Sequence, residues 1–170
     1  MSDLLRRGDS ALRMAQDAIK NYNFDDMFVN DICMLLEQAF ERYLKGYLEL
    51  NGHKYPKVHE IDVLLETIKK YGLSVPNIDV LLENSGLYNK WAVGIRYGGD
   101  YHISLTKVNE AVNYCTQLKE YVHTAETEVA YTKEQIEWCR ENAPKSITNL
   151  PDDQLWEIMS STYYKLKSLT

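Results

Sequence analysis

The sequence predicts an all-α protein: an antiparallel up-down bundle of four to five core helices with an additional C-terminal helix. Apolar residues recur at helical spacing along nearly the whole chain. No segment alternates apolar and polar residues over a useful length, and turn or capping residues separate the apolar stripes. With 170 residues, 45% of them hydrophobic, the chain can bury a substantial core without a disulfide or a metal ion.

Three helices are predicted in the first half of the chain. The first is short and amphipathic, with an apolar stripe formed by Leu12, Ala15, Ala18 and Ile19. The second, over about 28–51, has the broadest apolar face, which predicts a central helix contacted from two sides. Asn51 and Gly52 end it, because both residues tolerate the left-handed conformation of a helix C-terminus. The third covers about 58–71 and stops at Gly72.

The second half begins with a helical segment, a glycine-rich turn region and a long helix. The helical segment runs from Pro76 toward Trp91, and four of the eight glycines lie between positions 86 and 99. Ser104 or Thr106 is the expected N-cap of the long helix. The apolar residues of this helix alternate at three and four positions, as in nearly parallel helix packing.

The end of the long helix decides the expected domain organisation. Thr132 and Gln135 have the spacing of a capping box, which favours a break there over one helix running to residue 142. A proline-containing linker and a last amphipathic helix follow, and the apolar stripe of that helix must be covered. We expect residues 1–130 to form the bundle, and residues 131–170 to form a helical extension that packs on the bundle or on a second subunit.

Charge, hydropathy and cysteine content argue against several classes of protein. The 25 acidic and 19 basic residues give a net charge of −6, which disfavours a strongly basic nucleic-acid clamp but leaves room for a local basic pocket. No apolar run approaches the roughly 20 residues that span a bilayer, and the N-terminal segment lacks the apolar core of a secretory signal. Three widely separated cysteines without a C-x-x-C pair indicate reduced core thiols in a cytoplasmic protein.

Three short segments match the motifs of a known family in their order and spacing. Residues 38–45 read QAFERYLK, residues 58–61 read VHEI and residues 95–101 read IRYGGDY. They resemble the HEPN family of small prokaryotic helical bundles, whose motifs are Gln-Ala-x-Glu-x-x-Leu-Lys, Thr-His-Asp-Leu and Arg-Tyr-Pro-Asp. In the second motif only His59 is identical, and Gly98 replaces the proline of the third. The resemblance covers about residues 8–125.

The resemblance implies a helical bundle that commonly dimerises. It also implies a function linked to minimal nucleotidyltransferases, toxin–antitoxin modules and, in some branches, metal-independent RNA cleavage. We therefore expect a nucleotide- or partner-binding module whose partner is a minimal nucleotidyltransferase or a nucleotide, with RNA as a further candidate. Neither a cofactor nor a membrane is expected. The alternatives are a metal-independent endoribonuclease that acts across a dimer, and a structural or interaction protein without a ligand.

Arg96 and His102 are the candidate catalytic pair. The cleaving branches of the family carry an arginine and a histidine four to six residues apart before the last core helix, and here five residues separate the two. Histidine exchanges protons near neutral pH, and a guanidinium can grip phosphate oxygens as charge develops on them. The alternative is that Arg96 pairs with Asp100 while His102 is a surface residue at a helix start.

The candidate nucleotide-binding residues are His59, Arg96 and Asp100. His59 lies in the first turn of the third predicted helix, where it could hold a phosphate together with free backbone N–H groups. Alternatively, it hydrogen-bonds across the bundle and fixes the loop. The sequence contains no metal-ligand spacing and no glycine-rich phosphate loop, so a protein-built metal site is not expected.

For three other groups of side chains, a structural role is a simpler interpretation than a functional one. Solvated i,i+4 pairing, rather than a carboxylate site, is expected for Glu37, Glu41 and Lys45. Arg6 and Arg7 are expected to be a solvated N-terminal end. Packing between helices, with a self-association surface as the alternative, is expected for the tyrosines Tyr43, Tyr47, Tyr114, Tyr121, Tyr163 and Tyr164.

Overall fold

The computed structural model describes residues 2–21, 26–94, 104–128, 131 and 133–167. Within these ranges the chain forms seven helices and no strand. In chain order the helices are α1 (Asp3–Lys20), α2 (Asp26–Leu50), α3 (Ile61–Lys70), α4 (Ile78–Gly94), α5 (Leu105–Glu128), α6 (Lys133–Asn142) and α7 (Asp152–Lys167). The predicted all-α helical bundle is confirmed. None of the helices in the described ranges is both long enough and apolar enough to cross a membrane.

Two helices begin at positions other than those predicted. α1 starts at Asp3, well before the apolar stripe used to predict it, because the buried residues Leu5 and Gly8 extend its inner face toward the N-terminus. α3 starts at Ile61 rather than near residue 58, because the backbone of Glu60 is extended, with a ψ angle of 119°. Both differences arise at helix N-termini, and helix ends are the least well defined positions of a helix.

The cap and the break predicted in the second half are confirmed. Ser104 caps α5, since its Oγ accepts a hydrogen bond from the backbone N–H of Lys107 at 3.3 Å. α5 ends at Glu128 and α6 begins at Lys133, so the chain does not continue as one helix to residue 142. Thr132, the expected cap at this break, lies outside the described residues.

The chain divides into two compact units, residues 1–125 and 126–170. The first unit contains α1 to α4 and most of α5 around one hydrophobic core. The second contains α6 and α7, whose own small core is formed by Ile136, Cys139, Leu155, Trp156 and Met159. The expected extension over 131–170 falls within the second unit, and its packing on the bundle or on a second subunit stays a prediction.

α2 is the central helix of the first unit. It packs against α1, α3 and α4, and it buries a continuous set of side chains completely: Ile32, Cys33, Leu36, Ala39, Phe40, Tyr43, Leu44 and Leu48. Five residues of α5 join the same core: Val108, Ala111, Cys115, Leu118 and Val122. The breadth of the α2 apolar face therefore corresponds to contacts on more than one side, as the sequence indicated.

α1 and α2 approach each other closely because each presents a glycine to a bulky side chain of the other. A Cβ atom on Gly8 would lie 2.8 Å from Cε1 of Tyr43. A Cβ atom on Gly46 would overlap the side chain of Leu5. Tyr43 and Leu5 are both fully buried, so neither can move aside without repacking the core.

We predict that Gly8→Ala destabilises the protein even though alanine is the better helix former. The gain in helix propensity is about 1 kcal/mol, whereas forcing a methyl group against the stiff ring of Tyr43 costs about 1–3 kcal/mol. The matched control is Gly86→Ala in α4, where an added Cβ meets nothing within 4 Å; this variant should be more stable than the parent. Urea denaturation measures both, and equal changes in the two variants would contradict the close packing.

Candidate functional site

Three of the four candidate residues from the sequence, Arg96, Asp100 and His102, lie outside the described residues. The helices on either side of them are described: α4 ends at Gly94 and α5 begins at Leu105. His59 is described, and the site is built outward from it. It lies in the α2–α3 loop, residues 51–60, so its expected place in the first turn of the third helix is wrong, because α3 begins only at Ile61.

The α2–α3 loop begins with a left-handed turn that requires a glycine. Gly52 has a φ angle of 74°, a conformation that other residues rarely adopt. The N–H of Gly52 donates to the carbonyl of Glu49 at 3.0 Å, and the N–H of His53 donates to the carbonyl of Leu48 at 2.9 Å. This pair of hydrogen bonds is the Schellman arrangement, and it turns the chain back along α2.

The imidazole of His59 connects this loop to α2 and remains open to solvent. Its Nδ1 atom lies 3.0 Å from Oε2 of Glu41, within hydrogen-bond distance. The side chain of His59 is nevertheless 79% exposed. The hydrogen bond across the bundle that the sequence suggested for His59 is therefore present, but it is formed by an exposed ring and not by a buried one.

Glu41 and Lys45 form an ion pair that is almost completely buried. Nζ of Lys45 lies 2.5 Å from Oε1 of Glu41, and the two side chains are 9% and 13% exposed, respectively. The ammonium group of Lys45 also lies 5.6 Å from the centre of the Tyr55 ring. The i,i+4 spacing is as expected, but the expected solvation of the pair is wrong, because the α2–α3 loop covers it. Glu37, one turn earlier, is buried as well.

The N-terminus of α3 is capped by a side chain from α4. The N–H of Ile61 donates to Oδ1 of Asn89 at 2.8 Å, and Nδ2 of Asn89 donates to Oδ1 of Asp62, also at 2.8 Å. Glu60 places a second carboxylate at this helix end, where its Oε2 accepts the N–H of His59. An anion near His59 would therefore be held by side chains of the loop more than by backbone groups of α3.

A cavity of about 470 Å³ opens beside the loop. Its lining residues are Glu49, Gly52, His53, Lys54, Tyr55 and Lys57. The ring of His53 stacks flat on that of Tyr71, the residue after α3, with centroids 3.9 Å apart and planes 7° from parallel. The lining of this loop cavity thus combines two ammonium groups and two rings with the carboxylate of Glu49, in a protein of net negative charge.

A second polar cluster, which sequence reasoning missed, lies where α1, α2 and α5 meet. The hydroxyl of Tyr43 donates to Oδ1 of Asp9 at 2.8 Å, and Nε2 of His123 lies 2.9 Å from the same oxygen. Nζ of Lys119 is 3.5 Å away. Asp9 and His123 are 114 positions apart in the chain, so no local spacing could have indicated their contact.

The contacts of Asp9 change the acidity of its carboxyl group. Burial alone would raise its pKa, but the hydrogen bonds from His123 and Tyr43 and the charges of His123 and Lys119 outweigh burial, so the pKa lies below its usual value. A carboxyl with a lowered pKa in the folded state contributes stability above its usual pKa near 3.9. That contribution is lost as the pH falls through the folded-state value.

Thiol chemistry and protein-built metal sites receive no support from the described residues. Cys33, Cys115 and Cys139 are free and buried. Burial raises the pKa of Cys33 to about 12 and raises the pKa of Cys115 as well, so neither thiol is a nucleophile at neutral pH. In the described part of the chain, no group of three or more His, Cys, Asp or Glu side chains is placed to hold a metal ion.

A family model for the HEPN domain matches residues 1–141. The chain belongs to the HEPN family. The match includes all of the first unit and extends into α6. Searches of curated proteins and of solved structures found no significant match.

Two of the HEPN motifs quoted above meet in one network of contacts. Glu41 and Lys45 belong to the helix motif and His59 to the motif that opens α3, and the carboxylate of Glu41 contacts both other side chains. The third motif, IRYGGDY, lies outside the described residues. In this HEPN domain the first two motifs therefore hold the α2–α3 loop against α2.

We predict that Lys45→Met destabilises the domain far more than His59→Ala. Removing Lys45 leaves the buried carboxylate of Glu41 without its main counter-charge, which costs about 3–5 kcal/mol. Removing the exposed His59 ring costs about 1 kcal/mol or less. The double variant Glu41→Gln/Lys45→Met removes both charges and should recover most of the loss. Chemical denaturation checks all three, and equal losses for Lys45→Met and His59→Ala would show that the pair is not buried.

Proposed function

We propose that this HEPN domain binds a nucleotide at the α2–α3 loop. We further propose that it works with a minimal nucleotidyltransferase in a toxin–antitoxin or defence setting in the cytoplasm. The observation that carries the proposal is the loop cavity, where Lys54 and Lys57 share the lining with the rings of His53 and Tyr55. A nucleotide offers the complementary features, an anionic phosphate chain and a flat base.

The chemistry of the loop cavity supports a nucleotide over a simple anion. The flexible ammonium groups of Lys54 and Lys57 can follow a phosphate chain as point charges, and the flat rings offer a stacking surface for a base. The volume of about 470 Å³ falls within the range of about 300–1,000 Å³ that is typical of small-molecule sites. His59, two positions after Lys57, adds an exposed imidazole that Glu41 keeps in place.

The proposed partner rests on membership of the HEPN family, which the sequence linked to minimal nucleotidyltransferases. A nucleotide held on an exposed loop is the same class of molecule that such a partner uses as a substrate. The proposed assembly is a homodimer, in which each copy presents one α2–α3 loop. Arg96 and Asp100 are proposed to complete the nucleotide contacts together with His59.

We predict that the whole chain binds nucleoside triphosphates. Lys54→Gln and Lys57→Gln should each weaken binding about fivefold, because each removes one exposed charge contact with the phosphates. Lys90→Gln is the matched control, because Lys90 is an exposed lysine of α4 outside the loop cavity. Isothermal titration calorimetry gives the affinities. The proposal fails if no nucleoside triphosphate binds and no stable complex forms with a nucleotidyltransferase encoded beside this protein.

The position of Arg96 and His102 supports a second candidate function, a metal-independent endoribonuclease. Both residues precede α5, whose N-terminus is capped by Ser104, and the positive end of a helix dipole favours a nearby phosphate. In this proposal Arg96 grips the phosphate and His102 transfers a proton to or from the reacting oxygens. A dimer would supply two copies of the pair, one as base and one as acid.

For the second candidate, we predict RNA cleavage in the presence of EDTA that leaves 2′,3′-cyclic phosphate ends and is lost in His102→Ala. Circular dichroism of the parent and of His102→Ala checks that a loss of cleavage does not come from a loss of the fold. Lys90→Gln, purified in the same way, controls for contaminating nuclease and should cleave like the parent. Equal cleavage by the parent and His102→Ala, or none by either, would remove the catalytic role of the pair.

A further inference from the structure

A polar groove lies between α1 and α5, apart from the loop cavity. Its volume is about 540 Å³, and the described residues that line it are all polar: Arg6, Asp9, Ser10, Arg13, Gln16 and Lys119. Gln16 reaches across from α1 to α5, donating from Nε2 to Oγ1 of Thr116 at 3.4 Å. This α1–α5 groove lies within the first unit and shares no lining residue with the loop cavity.

The single carboxylate in the lining of the groove is already neutralised by the protein. Asp9 accepts the hydroxyl hydrogen of Tyr43, lies within hydrogen-bond distance of His123 and is 3.5 Å from the ammonium of Lys119. These groups are attached to α2 and α5, so they stabilise the charge of Asp9 whether or not the groove is occupied. The charge that remains for a ligand is that of the two arginines on α1.

Arg6 and Arg13 are both available to a ligand. Among the described residues, Arg13 forms no ion pair. Arg6 pairs with Asp3, but the two side chains are 75% and 56% exposed; such exposed pairs are weak and exchange readily with other charged partners. The arginines are seven positions apart, which places them on one face of α1 about 10 Å apart along its axis.

We propose that the α1–α5 groove binds a chain of linked phosphate groups. A guanidinium can donate two parallel hydrogen bonds to two oxygens of one phosphate. Two arginines about 10 Å apart along one helix face therefore suit an extended anion better than a single phosphate. None of the described residues that line the groove is aromatic, which favours recognition of phosphates over stacking of a base. A polyphosphate and the backbone of single-stranded RNA share this chemistry, and the test separates them.

The test measures binding of inorganic tripolyphosphate and of a mixed-sequence oligoribonucleotide to the full-length protein over a range of salt concentrations. Arg13→Gln should weaken binding about fivefold, and Arg13→Glu should weaken it further. For the oligoribonucleotide, the slope of log K against log salt should become shallower by about 0.7, the loss of one phosphate contact. Arg13 is exposed, so both variants should fold like the parent.

Lys20→Gln is the matched control, since it removes an exposed positive charge from the same helix outside the groove. Binding of either ligand that Arg13→Gln weakens and Lys20→Gln does not weaken supports the site, and it identifies which source of linked phosphates the groove uses. Absence of binding by both ligands overturns the proposal, as do Arg13 variants that bind like Lys20→Gln. The Lys54→Gln variant separates the two sites, because it should leave the groove affinity unchanged even if nucleotide binding at the loop cavity fails.

Discussion

Tyr43 of α2 packs against α1 and reaches α5 through Asp9. The rest of the first unit depends on this contact. The tyrosine ring occupies the space that Gly8 leaves on α1, and its hydroxyl donates to Asp9, which also contacts His123 of α5. Burial and the hydrogen bond to Asp9 raise the pKa of Tyr43, so the phenol remains a donor at any physiological pH. One side chain on α2 thereby helps to fix the positions of α1 and α5.

The opposite face of α2 contacts the α2–α3 loop. Glu41 and Tyr43 are two positions apart, which on a helix places them on nearly opposite faces. The Tyr43 face packs against α1, whereas the face of Glu41 and Lys45 holds the α2–α3 loop and His59. The same helix therefore anchors both the α2–α3 loop, which carries the lysines of the loop cavity, and α1, which carries the arginines of the α1–α5 groove.

Local patterns predicted the helices well because a helix is a local structure. The stripe of α2 and the cap at Ser104 depend on residues close together in sequence, and both were found as expected. The burial of Lys45 could not be predicted in the same way, because it depends on how the α2–α3 loop folds back over α2. Contacts between distant residues such as Asp9 and His123 leave no periodic signal at all. The family resemblance indicated which residues matter on α2, but not that they form a single network with His59.

The central claim of this account is that the α2–α3 loop is a nucleotide site. Hydrogen–deuterium exchange of the full-length protein, with and without saturating ATP, tests it most directly because it reports on every segment at once. The account predicts slower exchange in residues 51–60 when ATP is present, with little change in α4. Protection that is absent from this loop, while ATP binding is measurable elsewhere in the chain, would contradict it.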